Sequence, residues 1–315
     1  MLDILDIEKA VPEQHLHISE AASALQLSRT NSLMYDRFFG LKNIPSDPEQ
    51  TILNMSEQAL RRLWEGHPKP EFVVHCHTLL SAGPLRSDSG HPVTLFKSDD
   101  TEVFSATMCH CAGGVAVFEM LDGILSPEGT ALVLISDKAF HPAVQHIQNT
   151  TIMGDGAIAM LVGRGAGRFR HIASATSRHG AYSVITGLVG EETDLDFADE
   201  YISMTVACIQ QALKNADVDI NTLRFVFPHN VNIPSWETIA KGIGAARDQI
   251  YLKNIPNYGH TFGADPFLNL LDADREGVLQ PGDHVALVSV GLGATASCAI
   301  FQVNAANAEK SEDLK

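Results

Sequence analysis

Short apolar runs of strand length alternate along the chain with segments whose apolar residues recur every three or four positions. The first pattern is typical of buried strands and the second of amphipathic helices. The predicted strands are Val73–His77, Thr130–Ser136, Ala157–Gly163, Phe225–Pro228 and His284–Val290, with a first strand at the N-terminus, Met1–Glu8. The predicted helices are Met55–Glu65, Cys111–Leu125, Glu200–Ala216, Trp236–Ile243 and Asp265–Glu276. This alternation predicts α/β sheets covered by helices.

A weak internal repeat runs through the chain. Asp122–Ser136 matches Glu276–Val290 at a constant offset of 154 residues, and each copy has the pattern of a helix end, a Pro/Gly turn and a buried strand. At nearly the same offset, Phe72–Val74 matches Phe225–Phe227. A repeat of this length indicates a duplicated unit, in which we expect the order strand, helix, strand, helix, strand, strand.

The repeat divides the chain into two similar halves, residues 1–165 and 166–303, followed by a polar tail, 304–315, that we expect to fray. Two long stretches rich in turn residues, Leu80–Asp100 and Arg178–Asp199, interrupt the halves. Long loops in a compact domain are often functional, although a solvated surface flap is the alternative for both.

The composition narrows the possible functions. The chain has 315 residues, 22 Lys+Arg and 38 Asp+Glu, so its formal net charge is −16, which argues against general nucleic-acid binding. Hydrophobic residues make up 45% of the chain, enough for a large core. No window reaches the roughly 18 apolar residues of a membrane span, and the N-terminus lacks the pattern of a signal peptide. We therefore expect a cytoplasmic protein without a membrane or nucleic-acid partner.

Cys111 stands where a strand-like run, Glu102–Met108, turns into an apolar helix. The N–H groups and the dipole of a helix N-terminus favour a thiolate, so Cys111 is a candidate nucleophile. A buried, apolar filler is the commoner role of a free cysteine. Cys109 competes for the nucleophile role, since at a strand end it would share a face with Cys111. The five cysteines are odd in number and scattered, so a disulfide framework is not expected.

Two histidines stand at positions suited to a pocket. His229 follows an apolar strand directly, and His260 lies in a Gly-flanked turn before a predicted helix. In the repeat, the turn of His260 occupies roughly the place of Cys111, so a pseudo-twofold arrangement would bring the two helix starts together. A satisfied structural histidine is the alternative for each residue.

Two further motifs carry weaker chemical signals. The glycines of Gly291–Ala296 permit backbone N–H groups to face a site, as an oxyanion hole requires, but any hairpin can carry this pattern. His75-Cys76-His77 and Cys109-His110-Cys111 offer nitrogen and sulfur donors of the kind zinc prefers, although their spacing departs from the usual Cys-X-X-Cys pairs. We do not expect a metal site.

Five motifs together resemble ketoacyl-ACP synthase III and its relatives in the thiolase superfamily, in that family's order and across residues 1–303. They are Cys111-Ala112-Gly113, Gly154–Ala157, Phe227–Asn232, Tyr258–Thr261 and Gly291–Thr295. The resemblance implies two duplicated βαβαβαββ halves stacked as a five-layer α-β-α-β-α sandwich. It also implies a homodimer, with a heterodimer as the alternative.

The resemblance implies a role for each site residue. Cys111 would be acylated by a thioester, and His229 and His260 would hold the incoming substrate and stabilise the anion that forms. The backbone N–H groups of Cys111 and Gly293 would form the oxyanion hole. Asn232 and Phe262 are expected to contact the substrate, which would be an acyl-coenzyme A or an acyl carrier protein thioester. No tightly bound cofactor is expected.

Two departures from the family pattern affect the expected reaction. Type III enzymes commonly carry asparagine where this chain has His260, and an imidazole there would also suit deprotonation of a hydroxyl or an amine. The positions where coenzyme-A-using members carry tryptophan and arginine are here Met34 and Phe38. An acidic carrier protein would in turn need a local basic patch. The candidates for such a patch are Arg164, Arg168 and Arg170, or Lys241, Arg247 and Lys253.

The sequence therefore predicts an acyl-thioester-dependent condensing enzyme of the 3-oxoacyl-ACP synthase III type, serving a specialised pathway and forming a carbon–carbon bond by decarboxylative condensation. An acyltransferase that makes an ester or an amide is one alternative. A non-catalytic partner subunit of a heteromeric synthase is the other. The sequence leaves the acyl chain and its acceptor open.

Overall fold

A computed structural model describes residues 1–63, 67, 69–78, 95–96, 101–107, 109–182 and 197–305. Of the predicted loop Leu80–Asp100, only residues 95 and 96 are among the described residues. The loop Arg178–Asp199 is described only at its two ends, and the predicted tail 304–315 only as far as residue 305. The expectations for these three segments otherwise lie outside the described residues.

The described residues contain the following strands and helices. The strands are β1 Asp3–Ala10, β2 His15–His17, β3 Asn43–Pro45, β4 Phe72–Cys76, β5 Glu102–Ala106, β6 Thr130–Asp137, β7 His146–Ile147, β8 Thr151–Ile152, β9 Gly156–Gly163, β10 Phe169–Arg178, β11 Leu223–Phe227, β12 His284–Gly291 and β13 Thr295–Val303. The helices are α1 Ile18–Ala24, α2 Arg29–Leu33, α3 Ile52–Leu63, α4 Gly113–Ile124, α5 Pro142–Gln145, α6 Phe197–Ala216, α7 Ile233–Ile243, α8 Ile255–Tyr258 and α9 Asp265–Arg275.

Nine of the strands form one mixed sheet in the order β11-β12-β13-β10-β1-β9-β6-β4-β5. In the first half β4 is parallel to β6, and β6 is antiparallel to β9. In the second half β11 is parallel to β12, and β12 is antiparallel to β13. The halves meet where β1 pairs antiparallel with β10. The equivalent strands β6 and β12 begin at Thr130 and His284, which is the predicted offset of 154 residues, so the duplication is confirmed.

Alternate side chains of the strands enter different cores, because successive residues of a strand point to opposite faces. In β6, Val133 packs with α4 and α9, whereas Leu134 packs with α3. In β12, Leu287 packs with the same central helices, whereas Val288 packs with α6 and α7. The layers are therefore α3, the N-terminal strands, α4 with α9, the C-terminal strands, and α6 with α7. This is the predicted five-layer α-β-α-β-α sandwich.

The two central helices meet through aromatic rings. Phe118 of α4 stacks on Phe267 of α9 with ring centroids 6.4 Å apart, and both side chains are completely buried. Phe301 of β13 contacts Phe118 edge-on at 5.2 Å. Full burial of such a side chain contributes about 1.5–3 kcal/mol to folding, so this ring cluster holds the helix that carries Cys111 against the other half.

Three helix starts differ from the predicted ones by three residues, and one local conformation differs from the prediction. The helices α3, α6 and α7 each begin three residues before the predicted start, because their first turns lack the apolar spacing that marks the later turns. Cys109 does not end a strand; with φ −96° and ψ 3° it precedes a 3₁₀ turn, His110–Ala112. The strand β10 was not among the predicted strands, because its polar residues pair between β1 and β13 without a clear alternation.

The division between residues 165 and 166 falls in the connection between β9 and β10, and these domain bounds remain a prediction.

Within the described ranges, no helix combines the length and the apolar character that crossing a membrane requires.

Candidate active site

Cys111 lies in the 3₁₀ turn that leads into α4, and its side chain is buried. The hydroxyl of Ser289 in β12 donates to the Cys111 carbonyl oxygen at 2.8 Å. Gly291, at the end of β12, lies so close that a Cβ atom there would be 2.2 Å from the Cys109 carbonyl oxygen. The turn that carries the thiol is thus held by the strand of the opposite half.

His260 faces the thiol from the second half. Its Nε2 lies 3.7 Å from Cys111 Sγ, and its Nδ1 lies 2.5 Å from Oδ2 of Asp265. Burial disfavours the imidazolium, but the Asp265 carboxylate outweighs that effect and, with Cys111, raises the pKa of His260 to about 10. His260 is therefore a cation at neutral pH, and it stands between a carboxylate and a sulfur.

Asp265 is completely buried at the start of α9 and accepts three further hydrogen bonds. Its donors are the backbone N–H groups of Asn230 at 2.6 Å and Thr261 at 2.7 Å and the hydroxyl of Thr261 at 2.5 Å. This set of donors keeps one carboxylate oxygen in line with the His260 ring. Cys111, His260 and Asp265 thus form an array of thiol, imidazole and carboxylate.

His229 lies beside His260, with ring centroids 5.5 Å apart. Its Nδ1 accepts the backbone N–H of Val290 at 3.2 Å, and its Nε2 lies 2.6 Å from the hydroxyl of Tyr201. Burial lowers the pKa of His229 well below its usual value, and the charge on His260 lowers it further. The two histidines therefore differ in charge at neutral pH, since one is a neutral donor and the other a cation.

An apolar cluster surrounds the thiol. Cys111, Met153 and Phe262 are buried together, and Val144 and Ile147 pack against them. Phe262 follows His260 by two residues and has φ 55°. The centroids of the Phe262 and His260 rings are 6.1 Å apart. The hydroxyl of Thr78 also reaches the thiol, since it donates to Cys111 Sγ at 3.4 Å. An apolar wall next to a thiol suits an acyl group.

The roles of the remaining predicted site residues, Gly293 and Asn232, are still predictions. Gly293 has φ 76° in the connection between β12 and β13, a conformation that favours glycine. Asn232 caps α7 by accepting the N–H of Ser235 at 2.8 Å, and its amide donates to the Thr150 carbonyl at 3.1 Å. Both ends of the Asn232 amide are therefore used within the protein, which makes its substrate contact the least supported of these predictions.

The surroundings of Cys109, and of the residues in the zinc alternative, differ from those of Cys111. Cys109 Sγ is partly exposed and lies 3.7 Å from a guanidinium nitrogen of Arg178. The His75 ring is hydrogen-bonded to the Ser136 hydroxyl at 2.8 Å. Among the residues that the structure describes, no three His, Cys, Asp or Glu side chains are grouped as metal ligands would be.

The proposed basic patches contain paired charges. Arg164 pairs with Asp122 at 2.7 Å and Arg168 with Asp274 at 2.8 Å. On the other side, Arg247 pairs with Glu237 at 2.7 Å and Lys253 with Glu276 at 2.5 Å. Each of these four cations is thus offset by a neighbouring carboxylate.

Sequence reasoning missed three residues of the site, namely Asp265, Thr78 and Tyr201. Asp265 carried a usable signal, since it follows His260 by five residues at a predicted helix start. Thr78 lies just beyond a buried strand, and Tyr201 reaches the site from α6. No local pattern distinguishes either of them from an ordinary polar or aromatic residue.

Comparison with known proteins finds similarity to 3-oxoacyl-ACP synthase III proteins. A profile described as 3-oxoacyl-[acyl-carrier-protein (ACP)] synthase III C terminal matches residues 213–303. The β-ketoacyl-[acyl-carrier-protein] synthase III of Clostridium tetani is 29% identical over 101 residues, 32% of this chain and 30% of that protein. The Aquifex aeolicus protein of the same name is 23% identical over 271 residues, covering 81% of this chain and 85% of that protein.

Solved structures with the same fold are also known. A structure described as the acyltransferase ChlB3 superposes with a TM-score of 0.80 at 19% identity, covering 96% of this chain and 98% of that chain. Such a match shows the shared fold.

The sequence relatives are matched over only part of their length. The match to the Clostridium tetani synthase spans less than a third of that protein, and a further match, to the synthase of Oleidesulfovibrio alaskensis, spans 63% of that protein.

Proposed function

From the premise that this chain is a ketoacyl-ACP synthase III-like protein of the thiolase superfamily, we propose that it transfers an acyl group from a thioester, through Cys111, to a hydroxyl or an amine. The observation that carries the proposal is the array of Cys111, His260 and Asp265, with 3.7 Å from Sγ to Nε2 and 2.5 Å from Nδ1 to Oδ2. A carboxylate that orients an imidazole toward a nucleophile is the arrangement used for acyl transfer to oxygen and nitrogen.

In the loading step, the His260 imidazolium stabilises a thiolate on Cys111. The thiolate attacks the carbonyl carbon of the donor thioester. The N–H groups of Cys111 and Gly293 donate hydrogen bonds to the carbonyl oxygen, which becomes negatively charged. The carbon–sulfur bond of the donor then breaks, and the departing thiolate takes the proton of His260 Nε2. The step leaves an acylated Cys111 and a neutral His260.

In the transfer step, the acceptor hydroxyl or amine attacks the acyl carbon and passes its proton to His260 Nε2. The bond between that carbon and Cys111 Sγ breaks, which restores the thiolate beside an imidazolium. Asp265 makes the second step possible because it holds the ring in the tautomer with Nδ1–H and stabilises the positive charge that forms.

Decarboxylative condensation, in which the acyl group goes to a carbon, is the second candidate. The observation that favours it is the neutral His229, whose pKa is lowered by burial so that one ring nitrogen carries a hydrogen. The relatives at 23–29% identity are named β-ketoacyl-ACP synthase III, whereas the ChlB3 structure is described as an acyltransferase.

The donor in this proposal is an acyl-coenzyme A or an acyl carrier protein thioester, and the protein works as a homodimer in a specialised pathway. Two features support a donor site unlike that of general fatty-acid initiation. Met34 and Phe38 replace the aromatic and basic residues of coenzyme-A-using members, and the Phe38 side chain is 63% exposed. Four of the six candidate basic residues, Arg164, Arg168, Arg247 and Lys253, are paired with carboxylates.

Intact-protein mass spectrometry tests the proposal. Wild type, Cys111→Ala and Cys109→Ala are incubated with a panel of acyl-coenzyme A and acyl-carrier thioesters. We expect an acyl mass gain in wild type and in Cys109→Ala, and none in Cys111→Ala. A gain that is lost only in Cys109→Ala would place the nucleophile on the other sulfur, and no gain with any donor would support the partner-subunit alternative.

The acceptor is then tested on the loaded protein with 1-butanol, butylamine and malonyl-coenzyme A as probes. Acyl transfer predicts a butyl ester or amide whose formation depends on His260. A 3-oxoacyl thioester and carbon dioxide from malonyl-coenzyme A alone would instead establish condensation.

A further inference from the structure

Tyr201 of α6 approaches the histidine that the resemblance assigns to the incoming substrate. Its ring stacks on the His229 ring with centroids 5.8 Å apart and an interplanar angle of 14°. The Tyr201 hydroxyl oxygen lies 2.6 Å from His229 Nε2. The Trp236 ring closes the other side of His229 at 5.6 Å, and its N–H donates to the His229 carbonyl at 2.7 Å. His229 and Tyr201 therefore form a pair with little freedom to move.

The direction of the hydrogen bond follows from the surroundings of His229. Nδ1 accepts the N–H of Val290, so this nitrogen carries no hydrogen in the neutral ring. Burial and the neighbouring His260 cation keep the ring neutral by lowering the pKa of His229. The one hydrogen of the ring therefore lies on Nε2, and it is donated to Tyr201.

The phenol of Tyr201 has a hydrogen of its own to donate. Burial raises the pKa of Tyr201, so the phenol keeps its proton at neutral pH. No acceptor for that proton occurs in the part of the chain that the structure describes. A hydroxyl that accepts one hydrogen bond becomes a stronger donor in a second hydrogen bond. The Tyr201 O–H is therefore suited to donate to an oxygen or nitrogen atom of a bound substrate.

We propose that Tyr201 is a specificity-determining residue. Its hydroxyl oxygen accepts the hydrogen bond from His229 Nε2–H, and its own O–H is the group that faces the acceptor. This arrangement favours a neutral hydroxyl or amine acceptor over a malonyl-type acceptor. The inference rests on the proposed acyl transfer through Cys111. Decarboxylation moves the electron pair of the breaking carbon–carbon bond onto a thioester oxygen, and that oxygen needs donors directed at it. With the His229 N–H engaged by Tyr201, that N–H is not directed at the thioester oxygen.

The test compares wild type with Tyr201→Phe, using release of carbon dioxide from malonyl-coenzyme A and acyl loading of Cys111 as separate readouts. We expect the variant to decarboxylate malonyl-coenzyme A about 10²-fold faster, the size of effect that one oxyanion donor has in mutagenesis. Loading should change far less than decarboxylation. Tyr182→Phe is the matched control, since this ring contacts Phe197 and His179.

A double variant, Tyr201→Phe with His229→Phe, identifies the freed N–H as the cause, because the gain must disappear when His229 is lost. The inference is overturned if Tyr201→Phe decarboxylates no faster than wild type, or if loading and decarboxylation fall together. Failure of the proposed function gives a different result, namely a wild-type protein that takes no acyl group on Cys111.

Discussion

At the scale of single residues, the charge on His260 depends on Asp265. Burial alone would lower the pKa of an imidazole, and the carboxylate reverses the sign, so that the pKa of His260 rises to about 10. The same local chemistry has the opposite outcome at His229, where Val290 donates to the ring and no carboxylate is among the groups that set its pKa. The pKa values of two histidines in one site are thereby shifted in opposite directions.

Replacement of Asp265 tests this dependence. In Asp265→Asn we expect the transfer step to slow by about 10³- to 10⁴-fold, as in triads that lose their carboxylate. The pKa of His260 should fall, because the group that raises it is removed while burial remains, so the alkaline limb of the loading rate should move to lower pH. Rapid-quench mass spectrometry between about pH 6 and pH 11 measures the transfer rate and the pH dependence of the loading rate.

Asp274→Asn is the matched control, since Asp274 pairs with Arg168 at the surface. An Asp265→Asn protein with the wild-type transfer rate and pH profile would show that the carboxylate only supports the fold.

His171 predicts an acid sensitivity that is independent of catalysis. Burial between the Phe118 and Phe301 rings lowers the pKa of His171 to about 4. The unfolded chain binds this proton at about pH 6.5, so the free energy of unfolding falls as pH drops from about 6.5 towards 4. Between pH 7 and 5 this residue alone should account for a loss of about 2 kcal/mol.

Urea unfolding at both pH values measures this loss, which should shrink by that amount in His171→Gln. The exposed His15 offers the control His15→Gln, for which no change is expected. Equal pH dependence in wild type and His171→Gln would contradict the assignment.

At the scale of elements, the position of Cys111 depends on how β12 packs against the turn before α4. Gly291→Ala would place a Cβ atom 2.2 Å from the Cys109 carbonyl oxygen, and backbone cannot yield as a side-chain tip can. We expect a loss of about 1–3 kcal/mol in the free energy of unfolding, as for other overpacked sites. The loading rate of Cys111 should fall as well, because the turn must shift.

Gly123→Ala in α4 is the control for this variant. A Cβ atom there meets nothing within 4 Å, so the change should be neutral or stabilising by up to about 1 kcal/mol. Unfolding by urea and acyl loading by mass spectrometry give the two readouts. Wild-type loading in Gly291→Ala would mean that the turn tolerates displacement.

The predicted elements agree with the structure wherever a local pattern determines them. All five predicted helices and the five predicted internal strands exist, since apolar spacing reports directly which face is buried. β10 was missed because its strand conformation comes from its two neighbours in the sheet rather than from its own alternation. The starts of α3, α6 and α7 were set too late for a related reason, since a first helical turn need not be apolar.

At the scale of the whole molecule, the nine-stranded sheet ends in β5, which pairs only with β4 among the described strands. An exposed edge strand readily pairs with another chain. We therefore predict a homodimer joined at β5, with a mass of about 68 kDa, twice the 34.1 kDa of the chain.

Light scattering coupled to gel filtration measures this mass. Ser105→Glu, on the exposed face of β5, should weaken the dimer, because like charges would meet across the interface. Arg224→Glu in β11, at the other edge of the sheet, should not. A wild-type mass of 34.1 kDa would contradict the prediction.

The sequence by itself determined the α/β class, the duplication and the identity of three residues that the fold brings together, Cys111, His229 and His260. It could do so because periodicity, repeat spacing and motif order are local properties of a chain. Only the tertiary structure decided the charge and the hydrogen bonds of those residues. Cys111 meets His260 across 149 positions of the chain, and Tyr201 meets His229 across 28. Such contacts depend on how the layers pack, and packing is a property of the whole fold.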